Sequence, residues 1–148
     1  MIRFGGRPTE KKKKVVIDTG VLVSAFVFGG IPEEAVKKAF LETEIFISPS
    51  LLKEYRDVPS ALSAAGRIDN VQLKTLISGI ASFVSKATVV YPQKKLACCR
   101  DTEDNMLLEC CLAARAEFLI TGDKDLLSIG HLPFEVKILT PRRYVEEG

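Results

Sequence analysis

Five short apolar runs, at residues 15–17, 45–47, 88–91, 118–120 and 136–139, punctuate this chain, and the stretches between them are long enough for helices. Runs of three or four β-branched or bulky apolar residues, closed by turn-forming or polar residues, are consistent with strands buried on both faces. A strand covered on both faces needs a layer on each side of its sheet. Strands alternating with helical stretches, without internal repeats, therefore predict an α/β protein, a three-layer α/β/α sandwich around a mostly parallel sheet. Right-handed crossovers bring the strands' carboxyl ends to one edge, where residues remote in sequence meet.

The helices are read from their ends and their periodicity. Residues 20–28 begin one that stops at Gly29 and Gly30, and Pro32 opens the next, with Glu33 and Glu34 in the first turn where the helix dipole favours them. Ser48 and Pro49 read as an N-cap and first helical residue. They place Leu51, Leu52, Glu54 and Tyr55 along a helix that Pro59 is expected to end. Leu73, Leu76, Ile77, Ile80 and Val84 follow helical spacing from Asn70, and MLLECCLAARA after Asn105 is apolar nearly all round, as a buried helix would be. Thr140 and Pro141 start a short terminal helix.

With 148 residues and 47% hydrophobic content, residues 15–148 can bury one core and are expected to form one domain. Residues 1–14 hold six Lys/Arg and one Glu, leaving fifteen basic and eighteen acidic residues for the body. A flexible basic arm on an acidic body attracts phosphate backbones, which assigns nucleic-acid contact to Lys11, Lys12, Lys13 and Lys14; a solubilising tail is the plainer reading. No apolar stretch nears the roughly 18 residues of a membrane span, and the amino terminus lacks the apolar core of a signal peptide. The expectation is a cytoplasmic protein without membrane contact. The vicinal pairs Cys98/Cys99 and Cys110/Cys111, with a single histidine, His131, suit reduced packing residues better than a zinc site. A bridge between the pairs is the alternative for a hyperthermophile.

Four acidic signatures mark the ends of these elements: Asp18 in VVIDTG, Glu54 in SPSLLKEY, Asp101 and Asp104 in RDTEDN, and Asp123 with Asp125 in TGDKD. Each carboxylate has an ordinary role as a helix cap or exposed side chain, and that role is strongest for Asp101, which is placed as the N-cap of the helix that follows. Gathered on one sheet edge they would repel one another, and an oxygen-only cluster suits Mg²⁺ or Mn²⁺. Thr19, Thr121 and Asn105 are candidates to hydrogen-bond the ligating carboxylates or a bound water. The chemistry that follows is metal-assisted hydrolysis of a phosphodiester. The chain has no GxxxxGK[ST] loop, no GxGxxG and no GxSxG, which sets aside nucleotide-driven and serine-hydrolase chemistry.

Taken together, in order and spacing, VVIDTGVLVSA, FISPSLLKEY, DTEDNMLLECCLAA and FLITGDKDLL resemble the PIN domain nuclease family, in particular the branch described as toxin components of prokaryotic toxin/antitoxin pairs. The resemblance implies a Mg²⁺- or Mn²⁺-dependent ribonuclease acting on single-stranded or structured RNA, often a homodimer and often inhibited by an antitoxin protein. Carried over, the family's acidic site falls on Asp18, Glu54, Asp104 and Asp123, with Asp125 and Asp101 in support. The departure is Gly20, where such proteins usually carry a polar residue, commonly Asn.

Two other readings compete. DTGVL with TGDKD also resembles motifs of haloacid-dehalogenase-like phosphatases, in which Asp18 would be a nucleophile, but that family's second aspartate would fall on Gly20. A catalytically weak RNA- or protein-binding module would use the basic arm and apolar helices, with the acids as caps.

Overall fold

The computed structural model describes residues 11–148. Residues 1–10 of the expected basic arm therefore lie outside the described residues. Five strands form the sheet: β1 (Lys14–Ile17), β2 (Glu44–Ile47), β3 (Thr88–Val89), β4 (Phe118–Ile120) and β5 (Lys137–Leu139). Every pairing is parallel, and the order is β3-β2-β1-β4-β5. The central strand, β1, sets Val15 opposite Ile45 of β2 on one side and Phe118 of β4 on the other. Val15, Val16, Ile17, Leu119 and Ile120 are fully buried, which is why these runs carry no alternation of polar residues.

The helices are α1 (Thr19–Val23), α2 (Ile31–Glu42), α3 (Pro49–Ala64), α4 (Asn70–Ser85), α5 (Thr102–Ala114), α6 (Lys124–Leu127) and α7 (Pro141–Glu147). The connections β1 to β2 and β3 to β4 run in opposite directions across the sheet, so right-handed crossovers place α2 and α5 on opposite faces. Accordingly α2 packs on β2 and α7, while α5 packs on β1 and β2. Among the described residues no single helix is long and apolar enough to cross a membrane.

Several boundaries differ from the sequence expectation. The helix after Asp18 is α1 for one turn and then a π-helical turn over Ser24–Phe28. It ends where Gly29 and Gly30, with φ of 75° and 72°, turn the chain through 114° into α2. Lys14 opens β1, one residue before the expected start of the folded body. The strand expected over 88–91 is paired only at Thr88 and Val89, and one further bond runs from the Val90 N–H to the Ile47 carbonyl.

Pro59 does not end its helix; α3 continues to Ala64. Its ring lies on the buried face with Leu51 and Tyr55, at four-residue spacing, and α3 packs along α4. Burial of that face outweighs the roughly 3 kcal/mol that proline costs a helix interior. Tyr55, also on this face, donates its hydroxyl to the Ile17 carbonyl and meets the Phe83 ring edge-on at 6.2 Å. A capping box of Asp69 and Gln72 starts α4.

Candidate active site

β1 and β4 are neighbours, yet the chain leaves β1 toward β2 and leaves β4 toward β5. Their carboxyl ends therefore flank the sheet's topological switch point, where side chains from both sides converge. Asp18 follows β1 directly, and its backbone N–H donates to the Ile120 carbonyl of β4 at 3.0 Å. Thr121 follows β4. Its hydroxyl donates to Asp18 Oδ2 at 2.7 Å and accepts from the Asp123 N–H at 3.0 Å. One buried hydroxyl thus fixes two acidic positions that lie far apart in sequence.

The other acids arrive on helix starts. Asp123 caps α6, its Oδ1 accepting from the N–H groups of Asp125 at 2.8 Å and Leu126 at 3.4 Å. Asp101 caps α5 by accepting from the Glu103 N–H at 2.8 Å, and Asp104, one turn into that helix, is only 5% exposed. Glu54, early in α3, accepts from the buried Thr19 hydroxyl of α1. Asp104, Asp123 and Asp125 each bring a carboxylate oxygen within 4.8 Å of the other two.

The electrostatics of these groups share one direction. Burial, reinforced by the charges of Asp123 and Asp101, pushes Asp104 up to about 6. Asp18 is raised chiefly by burial and further by Asp123, against the pull of the Thr121 hydroxyl and the backbone donors of Gly20 and Thr19. Burial also raises Glu54; the Thr19 hydroxyl opposes the rise, while the Glu103 and Asp18 charges add to it. Asp18, Glu54 and Asp104, each resisting ionisation, mark a site short of positive charge. Its oxygen-only donors fit a hard divalent cation, which Asp104, Asp123 and Asp125 would hold, with Asp18 beside Asp123.

Some candidates are placed differently from the sequence reading. The Asn105 amide is engaged elsewhere: its Nδ2 donates to the Cys99 carbonyl at 2.8 Å and its Oδ1 accepts from the Cys99 N–H at 2.9 Å. It clamps the loop before α5 instead of serving a site carboxylate. Asp125, given only a supporting role, belongs to the tightest acidic group. Glu103 was not among the candidates, yet its carboxylate faces Glu54 across the gap between α3 and α5; its place within RDTEDN was the available signal.

Lys11, Lys12 and Lys13 are exposed and lead into the amino-terminal end of β1. The acids gather at its carboxyl end, roughly 13 Å away for a strand of this length. Lys14 is half-buried, its ammonium 5.9 Å from the Phe46 ring centroid and its backbone N–H bonded to Glu117. All four cysteines are free, and Cys110 and Cys111 are buried.

Thr121→Val should cost about 1–3 kcal/mol, since it strips Asp18 of its hydroxyl donor and the Asp123 N–H of its acceptor. Urea unfolding measures this, and an unchanged midpoint would mean that the hydroxyl does not join the two acids.

The parallel sheet, its switch point and the acids around it define an α/β nuclease-type module. The PIN domain family matches residues 14–125, and the chain belongs to that family. It is 30% identical over 147 residues to Uncharacterized protein MJ1680 of Methanocaldococcus jannaschii, covering 92% of each chain. Among solved structures, VapBC2 from Rickettsia felis, bound to a DNA fragment from their promoter, matches with a TM-score of 0.59 at 14% identity, over 86% of this chain and 98% of that one. PAE2754 from Pyrobaculum aerophilum matches with a TM-score of 0.59 at 13% identity, over 90% and 88%. These two share the fold. Membership of the PIN family sets the phosphatase resemblance aside.

Proposed function

We propose that this protein is a metal-dependent ribonuclease and the toxin of a toxin/antitoxin pair. The observation that carries the catalytic reading is the convergence of Asp104, Asp123 and Asp125 oxygens within 4.8 Å at the switch point, with Asp18 tied to Asp123 through Thr121. A bound Mg²⁺ or Mn²⁺ would supply Lewis-acid charge to the phosphoryl group and lower the pKa of water. Asp104, Asp123 and Asp125 would hold the ion. Asp18, oriented by Thr121, positions the attacking water. Glu54, held by Thr19 and raised by burial and by Glu103, would take up the proton that the attacking water gives up as its oxygen bonds to phosphorus and the leaving oxygen departs.

The toxin reading draws on the resemblance of the four motifs and on the fold shared with VapBC2. An antitoxin protein or a second copy of the chain would cover exposed apolar side chains such as Phe28 and Leu41, 74% and 69% exposed.

The test is cleavage of a labelled single-stranded RNA in Mn²⁺, Mg²⁺ or EDTA. Wild type should cut only with the metals, and Asp18→Asn and Asp104→Asn should each lose about 10²–10³-fold in rate, the equivalent of several kcal/mol of transition-state stabilisation. Metal-independent cutting, or full activity in both variants, would overturn the assignment. If RNA is retained but never cut, the protein is a binding module in which Gly20 has removed a side chain the reaction needs; nothing lies within 4 Å of where a Cβ at Gly20 would sit.

A further inference from the structure

Carboxylates at the switch point repel the backbone of any nucleic acid that approaches, so a strand must be drawn in by groups beside them. The described N-terminal lysines lead into the opposite edge of the sheet. The carboxyl edge offers another cationic segment. β3 ends on this edge, two strand spacings or about 10 Å from β1, and the chain leaving it carries Tyr91, Lys94 and Lys95. Tyr91 is 66% exposed, a large aromatic ring facing solvent. Neither Lys94 nor Lys95 is paired with a carboxylate among the described residues.

This segment is anchored. The Val90 N–H bonds to the Ile47 carbonyl, the Leu96 N–H to Glu109 of α5 at 2.9 Å, and Cys99 to both ends of the Asn105 amide. Pro92 restrains the backbone beside Tyr91. A groove of about 490 Å³ between α3 and α5 has Glu54 and Glu103 in its wall along with Lys95 and Lys53, though Lys53 is engaged by Asp57 at 2.6 Å. A second groove of about 230 Å³ shares Lys95 and adds Lys94 and Tyr91. The two share Ser50, Lys95, Met106 and Glu109 and form one path from Glu54 and Glu103 to the exposed ring.

We propose that this path binds the single-stranded flank of the RNA, with Lys94 and Lys95 on its phosphates and an unpaired base stacked on Tyr91. A ring that stacks on a base face accepts any base but requires it to be unpaired, so the groove selects for single strand without reading sequence. The inference rests on the nuclease reading for what happens at the acids, but strand binding is measurable without cleavage.

The experiment compares wild type, Tyr91→Ala, Tyr91→Phe and Lys94→Ala/Lys95→Ala on one labelled oligoribonucleotide, single-stranded or annealed to its complement. Affinity is measured by anisotropy in EDTA, and KM and kcat in Mn²⁺. Tyr91→Ala should weaken single-strand binding about 5- to 100-fold, with Tyr91→Phe close to wild type and duplex binding unmoved. The double lysine variant should raise KM at constant kcat and lower the salt slope of binding by about 1.4, two phosphate contacts on a single strand. Wild-type affinity and KM in both alanine variants would overturn the path. If wild type binds but never cleaves, the nuclease reading fails, and the anisotropy comparison still decides the groove. Absence of binding by wild type overturns both.

Discussion

Asp104→Asn is expected to make the metal-free protein more stable while lowering the proposed cleavage about 10²–10³-fold. In the folded chain Asp104 titrates near 6, against an ordinary 3.8, because it is buried beside Asp123 and Asp101. The folded state therefore holds this proton more tightly than the unfolded state does. Below about pH 4 both states are protonated and the group has no effect; between about 4 and 6 only the unfolded state ionises and stability falls, and above about 6 both are ionised and the loss is complete. The difference between about 6 and 3.8 limits the loss to about 3 kcal/mol, so Asn, which cannot ionise, should recover about 1–3 kcal/mol at pH 7. Thermal or urea unfolding in EDTA between pH 4 and 7 measures this. Mn²⁺ at a hundredfold excess over its Kd should raise wild-type stability by about 2.7 kcal/mol and do little for the variant. An Asp104→Asn protein that melts at or below wild type at pH 7 would mean that the pool is not held under repulsion.

The second large effect is expected at Tyr55, which belongs to the core and lies one residue from Glu54. Its side chain is fully buried, and its hydroxyl bonds to the carbonyl of Ile17, the residue before Asp18. Tyr55→Ala should cost about 3–5 kcal/mol through the cavity left against Phe83. Tyr55→Phe keeps the ring, leaves the Ile17 carbonyl without this donor, and should cost about 1–3 kcal/mol. The Phe variant separates fold from site: a folded protein with reduced kcat would show that this bond sets Asp18 and Glu54 relative to each other. Unchanged stability and kcat would mean that α3 is positioned by packing alone.

Much of the fold could be read because its strands are short, apolar and closed by abrupt polar or proline boundaries. Ile17 followed by Asp18, and Ile120 followed by Thr121, mark strand ends whatever the tertiary context. Pro59 does not stop α3 because its cost is local, whereas the buried face it shares with Leu51 and Tyr55 is set by tertiary packing. The π-helical turn before Gly29 also escaped notice, since it depends on how α1 and the following residues pack and not on any residue preference.

The site was legible as types of residue at strand ends but not as distances. Nothing in TGDKD says that Asp125 joins Asp104 and Asp123 within 4.8 Å, because that is set by the single turn of α6. Asn105 looked like a site residue by its neighbourhood in RDTEDN. Its commitment to Cys99 is a feature of a loop whose course the sequence leaves open.

The pairing of β1 with β4 has a consequence for synthesis. Asp18 and Thr121 are 103 residues apart, and the hydroxyl that fixes Asp18 comes from the residue just after the last strand but one. A chain emerging from the ribosome can lay β1 beside β2 early, but no acidic pool exists until residues beyond 120 have been made and β4 has closed on the free side of β1. Non-local parallel pairings of this kind form slowly. A truncated or half-folded chain therefore lacks the gathered acids on which the proposed cleavage depends, and completion of the sheet is itself the step that assembles the site.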